Sequence, residues 1–234
     1  MRQTLPSTST PVLAAGFLVL KVRQRVRRMG QILGIRRPTP LPPEALTPPD
    51  SALAKRADEL AMDAYSGALL RHSQRTWGYA VAVAAHESLS PDPEALYVAC
   101  LLHDLGLTPR FAGEEPFELR GANAGRALCH PDEKADIVHE AIALHTSLRA
   151  ALGPPEVRLV QSGSGGDLAG LDAELVHRET DRMIRARWPK PEGDVDDVLW
   201  ALRRETKAHP KSPGAGLIRV GFEREAKAYQ RKLR

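Results

Sequence analysis

The chain has little cysteine: Cys100 and Cys129 are the two thiols among its 234 residues. They lack CxxC spacing, and a second pair that could complete a structural zinc knuckle or a disulfide framework is absent. Both lie in apolar segments. We therefore predict that they are reduced and buried, as in a cytoplasmic protein.

Aromatic residues make up only 5% of the chain, and long hydrophobic runs are missing. The apolar run at residues 11–20 is short, whereas a membrane-spanning helix needs about 20 apolar residues. We predict no transmembrane segment. Alanine, leucine and valine supply most of the apolar content, and alanine and leucine cost little free energy to fix in a helix. This balance predicts an all-α fold.

Acidic side chains are absent from residues 1–43, which contain eight lysines and arginines, while the rest of the chain has 25 basic and 29 acidic residues. Because a nucleic-acid-binding surface needs basic groups to offset phosphates, an acidic body predicts no nucleic-acid partner. The basic N-terminal segment is compatible with contact to an anionic membrane surface. A partly disordered extension is the interpretation we favour. The sequence leaves the oligomeric state open.

Prolines are dense at residues 37–49, where they interrupt regular structure. We predict a basic, Pro-rich and largely disordered extension at residues 1–50. A compact helical domain follows at 51–234, with its core at 66–171 and further helices at 172–234. Apolar spacing predicts helices at 51–70 and 71–89. An almost wholly apolar central helix is expected at 94–105, with Gly106 as its C-cap, and residues 156–167 fit a strand or a helix.

One pair of polar residues follows the most apolar part of the chain. His103 and Asp104 end the hydrophobic segment in VACLLHDLG. An ionised carboxylate loses its hydration there unless something compensates its charge. A divalent cation is the simplest compensation, and imidazole with carboxylate suits zinc, iron or manganese. The pair therefore predicts a metal site.

Five ordered segments, spanning residues 69–171, resemble the HD superfamily of metal-dependent hydrolases, and are most similar to its cyanamide hydratase-like branch. They are LLRHSQRTWGYA, LLHDLGLT, FELRGANAGRAL, EAIALHTS and VRLVQSGSGGDLAG. The resemblance implies an all-α HD-type bundle with a single divalent transition metal, with zinc favoured and iron or manganese as alternatives. By matching positions, the implied metal ligands are His72, His103, Asp104 and Asp167.

The resemblance also implies residues around the reacting group. Asp104, Glu118 and His145 are the implied catalytic residues. We predict that Thr76, Thr108, Phe117 and Arg75 contact a small-molecule substrate. The chain departs from the family where Glu118 is followed by Leu119 and Arg120 instead of the common Val-Asp, which affects the pocket and leaves the metal site unchanged.

Three functions are compatible with these residues. The resemblance implies a hydratase or hydrolase in which a hydroxide generated at the metal attacks a small nitrile-like or cyanamide-like carbon. A phosphohydrolase is the alternative, and it needs cations on the phosphoryl oxygens. A degenerate HD domain that serves as a binding or regulatory module is the third, and the intact ligand set disfavours it. The candidate phosphate-binding cations are Arg75, Arg110, Arg120 and Arg126.

Overall fold

The computed structural model describes residues 10–35 and 37–233, and every regular element within those stretches is helical. The all-α prediction is confirmed. Short 3₁₀ helices lie at Pro43–Leu46, Leu105–Leu107, Pro109–Phe111, Leu148–Leu152 and Ala173–Leu175. The α-helices are α1 (Thr10–Ile32), α2 (Ala52–Ala64), α3 (Gly67–Glu87), α4 (Pro93–Leu102), α5 (Phe117–Cys129), α6 (Ala135–Leu144), α7 (Pro155–Ala169), α8 (Arg178–Arg187), α9 (Asp194–Ala208), α10 (Pro213–Arg219) and α11 (Phe222–Leu233).

Serine caps divide the first predicted helix, residues 51–70, into two. Ser51 accepts a hydrogen bond from the Ala54 amide and begins α2. Ser66 does the same for the Leu69 amide and begins α3. Such caps satisfy amides that lack a partner in the first helical turn. The break places His72 on the second turn of α3.

The apolar helix α4 forms the centre of the core, as its sequence predicts. Residues 95–102 of α4 are each at most 3% exposed. The helix ends at His103, however, and Gly106 does not cap it: Gly106 lies in the following 3₁₀ turn. A Cβ atom on Gly106 would lie 2.1 Å from the carbonyl oxygen of Phe117. This glycine is therefore required by the close approach of α5.

Helix α7 covers the segment that the sequence left as strand or helix. Among the described residues, α3 packs more extensively against α7 than against any other helix. The two backbones approach closely at Gly163, where a Cβ atom would lie 2.3 Å from the carbonyl oxygen of Thr76. Because Thr76 is one turn beyond His72, this contact fixes the position of the helix that presents His72.

We predict that Gly163→Ala destabilises the protein by about 2 kcal/mol, since an added methyl group in a close-packed contact forces the backbones apart. Thermal unfolding should show a midpoint lower by roughly 6 °C for a domain of this size. Ser164→Ala, at the next position of α7, is the matched control and should change the midpoint little. Equal midpoints for the two variants would contradict this account of the α3–α7 contact.

The N-terminal region differs from the predicted extension, of which residues 1–9 and 36 lie outside the described residues. Residues 10–32 form α1, which packs against α10 and the 3₁₀ helix Ala173–Leu175. The body also begins before residue 51, because Leu46 is 2% exposed and its carbonyl oxygen accepts a hydrogen bond from Trp77 Nε1. In the two described stretches, no helix combines the length and hydropathy needed to cross a membrane.

Candidate metal centre

Two buried histidines sit at the carboxyl ends of helices, and in its neutral form each carries a free lone pair on Nε2. His103 directly follows α4 and His145 directly follows α6. The Nδ1 atom of His103 lies 2.8 Å from the Cys100 carbonyl oxygen, and that of His145 lies 2.6 Å from the Ile142 carbonyl oxygen. A carbonyl oxygen can only accept, so Nδ1 carries the hydrogen in both neutral rings. Each Nε2 therefore keeps its lone pair.

The Asp104 carboxylate lies between three histidine Nε2 atoms. Its Oδ2 is 3.3 Å from Nε2 of His103 and 3.6 Å from Nε2 of His72, and its Oδ1 is 3.7 Å from Nε2 of His145. His72, His103 and Asp104 each offer one ligand atom, and these three atoms lie within 4.8 Å of one another. We call these three residues the metal cluster.

The metal cluster fits a divalent ion by the chemistry of its donors. The Nε2 atoms of His72 and His103 are fully buried and make no hydrogen bond with the described residues. Leaving two polar atoms buried without partners is costly. A metal bound by both nitrogens and by Asp104 removes that cost. Three protein ligands with a further position open are typical of catalytic metal sites.

Electrostatics in the metal cluster favour positive charge at its centre. Burial opposes ionisation of Asp104, yet the neighbouring imidazoles, with His103 foremost, hold the pKa of its carboxyl below the usual range. Burial likewise opposes charge on His103, but Asp104 raises the pKa of that imidazole overall. At His72 burial dominates and lowers the pKa. A cation near Asp104 is therefore favoured even though the site is buried.

The structure does not bring Asp167, the predicted fourth ligand, into the metal cluster. Its Oδ2 accepts a hydrogen bond from Nδ1 of His72 at 2.8 Å, on the ring edge opposite Nε2. Its Oδ1 accepts from Nε of Arg75 at 2.8 Å and lies 2.5 Å from Nζ of Lys190. Both carboxylate oxygens are thus engaged. Despite its burial, these two cations hold the pKa of Asp167 well below its usual range.

Asp167 therefore orients His72 in this structure. A carboxylate that accepts from Nδ1 fixes the tautomer and the direction of a ligating imidazole. Lys190, which sequence reasoning missed, completes the arrangement by also donating to the Asp167 carbonyl oxygen at 2.7 Å. A lysine within WPKPEG carries no pattern that points to an aspartate 23 residues earlier. Only the fold brings the two together.

Glu118, predicted to be catalytic, lies outside the metal cluster. Its Oε1 accepts hydrogen bonds from the Thr146 hydroxyl and from the Gly214 amide, each at 2.8 Å. Burial raises the pKa of this carboxyl. These contacts tie the start of α5 to the segment after α6 and to the first turn of α10. In this structure Glu118 positions the segment next to His145.

Four residues are predicted to contact the substrate. One of them lines a cavity, and the other three make structural contacts. Phe117 packs edge-on against the His145 ring at 5.6 Å between centroids, and it lines the cavity described below. The Thr76 hydroxyl donates to the His72 carbonyl oxygen, and the Thr108 hydroxyl donates to that of Leu105. Arg75 is 1% exposed and bound to Asp167. Thr76, Thr108 and Arg75 therefore bind backbone oxygens or Asp167, and they do not line the cavity.

A cavity of about 110 Å³ adjoins Asp104 and His145. Its walls are mainly hydrocarbon, and they come from regions that the sequence did not connect with the site. Helix α1 and helices α9 to α11 contribute, together with α7. The apolar residues that line it include Leu148, Leu168, Leu171, Val198, Leu202 and Leu217.

The sequence profile of the HD domain matches residues 69–231, a span that includes the whole metal cluster. The chain therefore belongs to the HD-domain family. Cyanamide hydratase DDI2 and cyanamide hydratase DDI3 of Saccharomyces cerevisiae are each 30% identical to it over 161 residues, which cover 64% of this chain and 72% of each relative. The predicted superfamily and its cyanamide hydratase-like branch are both confirmed.

Proposed function

We propose that the protein adds water to the carbon of a small nitrile-like or cyanamide-like compound that has an apolar substituent. The observation on which this proposal depends most is the position of the apolar cavity, which opens directly onto Asp104 and His145. Similarity to two cyanamide hydratases supports the reaction class. The substituent is inferred from the walls of the cavity.

The residues that would hold the metal are His72, His103 and Asp104. A divalent transition metal, zinc by preference, would supply Lewis acidity there and make water more acidic, toward a pKa of about 7. Asp167 would keep the lone pair of His72 directed at the ion by accepting its Nδ1 hydrogen. Arg75 and Lys190 would keep Asp167 ionised for that purpose.

His145 is suited to move a proton beside the metal cluster. Burial lowers the pKa of its imidazole to about 4, so the ring is neutral at pH 7. Nδ1 donates to the Ile142 carbonyl oxygen, which leaves Nε2 as the basic atom, 3.7 Å from Asp104. We assign His145 Nε2 to accept a proton from the attacking water and to return it to the substrate nitrogen. Asp104 can share that proton through Oδ1.

The cavity favours a short hydrocarbon group on the substrate. For comparison, an apolar cavity of about 150 Å³ holds a benzene molecule, so this smaller space suits a chain of roughly four carbons. Burying each methylene contributes about 0.8 kcal/mol. We expect the specificity constant for an N-alkylcyanamide to rise about fourfold per added carbon until the cavity is full.

A phosphate ester has less support. All four candidate phosphate-binding arginines are engaged away from the metal cluster. Arg75 binds Asp167, Arg110 pairs with Asp63, Arg126 pairs with Asp136, and Arg120 binds Glu205 and backbone carbonyls. None of them lines the cavity. A phosphoryl group at Asp104 would therefore lack the cations that its reaction needs.

The test is an assay of the metal-loaded protein on cyanamide and on its methyl, propyl, butyl and octyl derivatives, with the corresponding ureas as products. A nucleotide panel is assayed in parallel for phosphate release. We expect urea formation that peaks near the butyl compound and is absent in Asp104→Ala. Leu217→Phe, which shortens the cavity at a half-buried wall, should move the peak to shorter chains and leave cyanamide turnover unchanged. Phosphate release that Asp104→Ala abolishes would overturn the proposal.

A further inference from the structure

Helix α1 is amphipathic, but it sits on the body with its polar face inward. Gln24 Nε2 donates to the Gly170 carbonyl oxygen at 3.1 Å, and Gln31 Nε2 donates to the Glu174 carbonyl oxygen. Arg27 pairs with acidic groups of the body, and Lys21 pairs with Glu225. Hydrogen bonds and ion pairs therefore fix this face, where a surface helix ordinarily packs its apolar residues.

The opposite face of α1 is apolar and open to solvent. Its residues recur three, four or seven positions apart, so they form one row along the helix. Each is more than half exposed, from 53% for Val22 to 65% for Val26. Leu18 and Ile32 lie beside this row on the helix surface and are 62% and 74% exposed. We call the row the outer stripe; it consists of Val12, Val19, Val22, Val26 and Met29.

Such a surface requires an apolar covering. Soluble monomers rarely leave a contiguous apolar patch of this kind in water, and patches that are bordered by polar groups mark interaction sites. Since the polar contacts above hold the inner face of α1 against the body, turning the helix to bury the outer stripe would break them. Within residues 10–35 and 37–233, nothing covers the outer stripe.

The charges that border the outer stripe indicate which kind of surface covers it. At about 100° per residue, Arg23 borders the stripe on one side and Arg25 borders it on the other. Both are exposed, although Arg23 also lies 3.5 Å from Glu87, and residues 1–43 contain no acidic side chain. Two copies of α1 packed stripe to stripe would bring these arginines together, and like charges oppose such pairing. An anionic lipid surface offers hydrocarbon with negative charge at its edge.

We propose that α1 docks the protein on an anionic bilayer surface, with the outer stripe in the boundary between headgroups and acyl chains. Arg23 and Arg25 would reach lipid phosphates, as long basic side chains do at membrane interfaces. Helix α1 does not cross the membrane. Its inner face, through Leu20, Lys21 and Gln24, lines the reaction cavity, so one helix separates the bilayer from the cavity.

The experiment is flotation of the full chain with vesicles of phosphatidylcholine alone and of phosphatidylcholine with 30% phosphatidylglycerol. We expect recovery with the anionic vesicles only, and a decline as salt increases. Val22→Ser/Val26→Ser should weaken partitioning at least tenfold. Arg25→Gln should weaken it about fivefold.

Met62→Ser is the control, because this side chain is also exposed, at 61%, and lies on α2. It should float like the wild type. Circular dichroism and light scattering are recorded for every variant. Equal flotation of the stripe variant and the control would overturn the proposal. So would a wild-type dimer that the stripe variant converts to a monomer without any vesicle binding, since a second copy would then be the covering.

Discussion

The Asp104→Ala protein is expected to lose its metal and to lose activity on the best cyanamide derivative by on the order of a thousandfold or more. Removing a residue that only orients a metal ligand typically costs 10–100-fold, and loss of a ligand should exceed that. Asp104 is the carboxylate of the metal cluster, and its two oxygens face the Nε2 atoms of three histidines. The measurements are metal content and the specificity constant.

Asp197→Ala is the control for this substitution because Asp197 is exposed on α9. It should retain the wild-type metal content and rate. Circular dichroism separates loss of the site from loss of the fold. An Asp104→Ala protein that is folded and fully active would show that the reaction takes place elsewhere on the chain.

The Asp167→Asn protein is expected to unfold more easily by about 3–5 kcal/mol, since Arg75 and Lys190 would be left buried without a counter-charge. Its metal affinity should fall about 10–100-fold, as when an outer partner of a ligand is removed. Denaturant unfolding of the metal-free protein measures the first effect, and competitive chelation measures the second. Activity at saturating metal should largely return.

A double variant tests whether Asp167→Asn loses stability because buried cations are left without a counter-charge. In the Asp167→Asn background, Lys190→Met removes one of the two cations left without a counter-charge, so the double variant should recover part of the lost stability. If Asp167→Asn instead kept its stability and bound no metal at any concentration, Asp167 would be an inner ligand. The orienting role assigned here would then fail.

Part of the fold and site follows from the sequence because local chemistry determines it. Alanine and leucine composition predicts helices, and the hydrophobic segment before His103 predicts the buried helix α4. Asp104 predicts a metal site because a carboxylate at the end of an apolar segment needs a counter-charge. His72 requires the family resemblance, because a single histidine on a helix has no distinguishing spacing.

The remainder depends on contacts between segments that are distant in the chain. The family pattern predicts Asp167 as a metal ligand, but in the structure its carboxylate is bound by Arg75 and by Lys190, which lies beyond α8. Helix α1 shows the same limitation. The sequence predicts a largely disordered extension over residues 1–50, whereas acidic groups on the body bind the polar face of α1. Those groups lie far along the chain, so the pattern within the N-terminal segment does not reveal them.

The central claim is that His72, His103 and Asp104 bind a single divalent ion. Elemental analysis of the wild-type and His103→Ala proteins, purified in parallel and then chelated and reloaded, tests it most directly. We predict about one transition-metal ion per wild-type chain and almost none in His103→Ala. Absence of metal from the wild type after reloading, or the same content in both proteins, would contradict the claim.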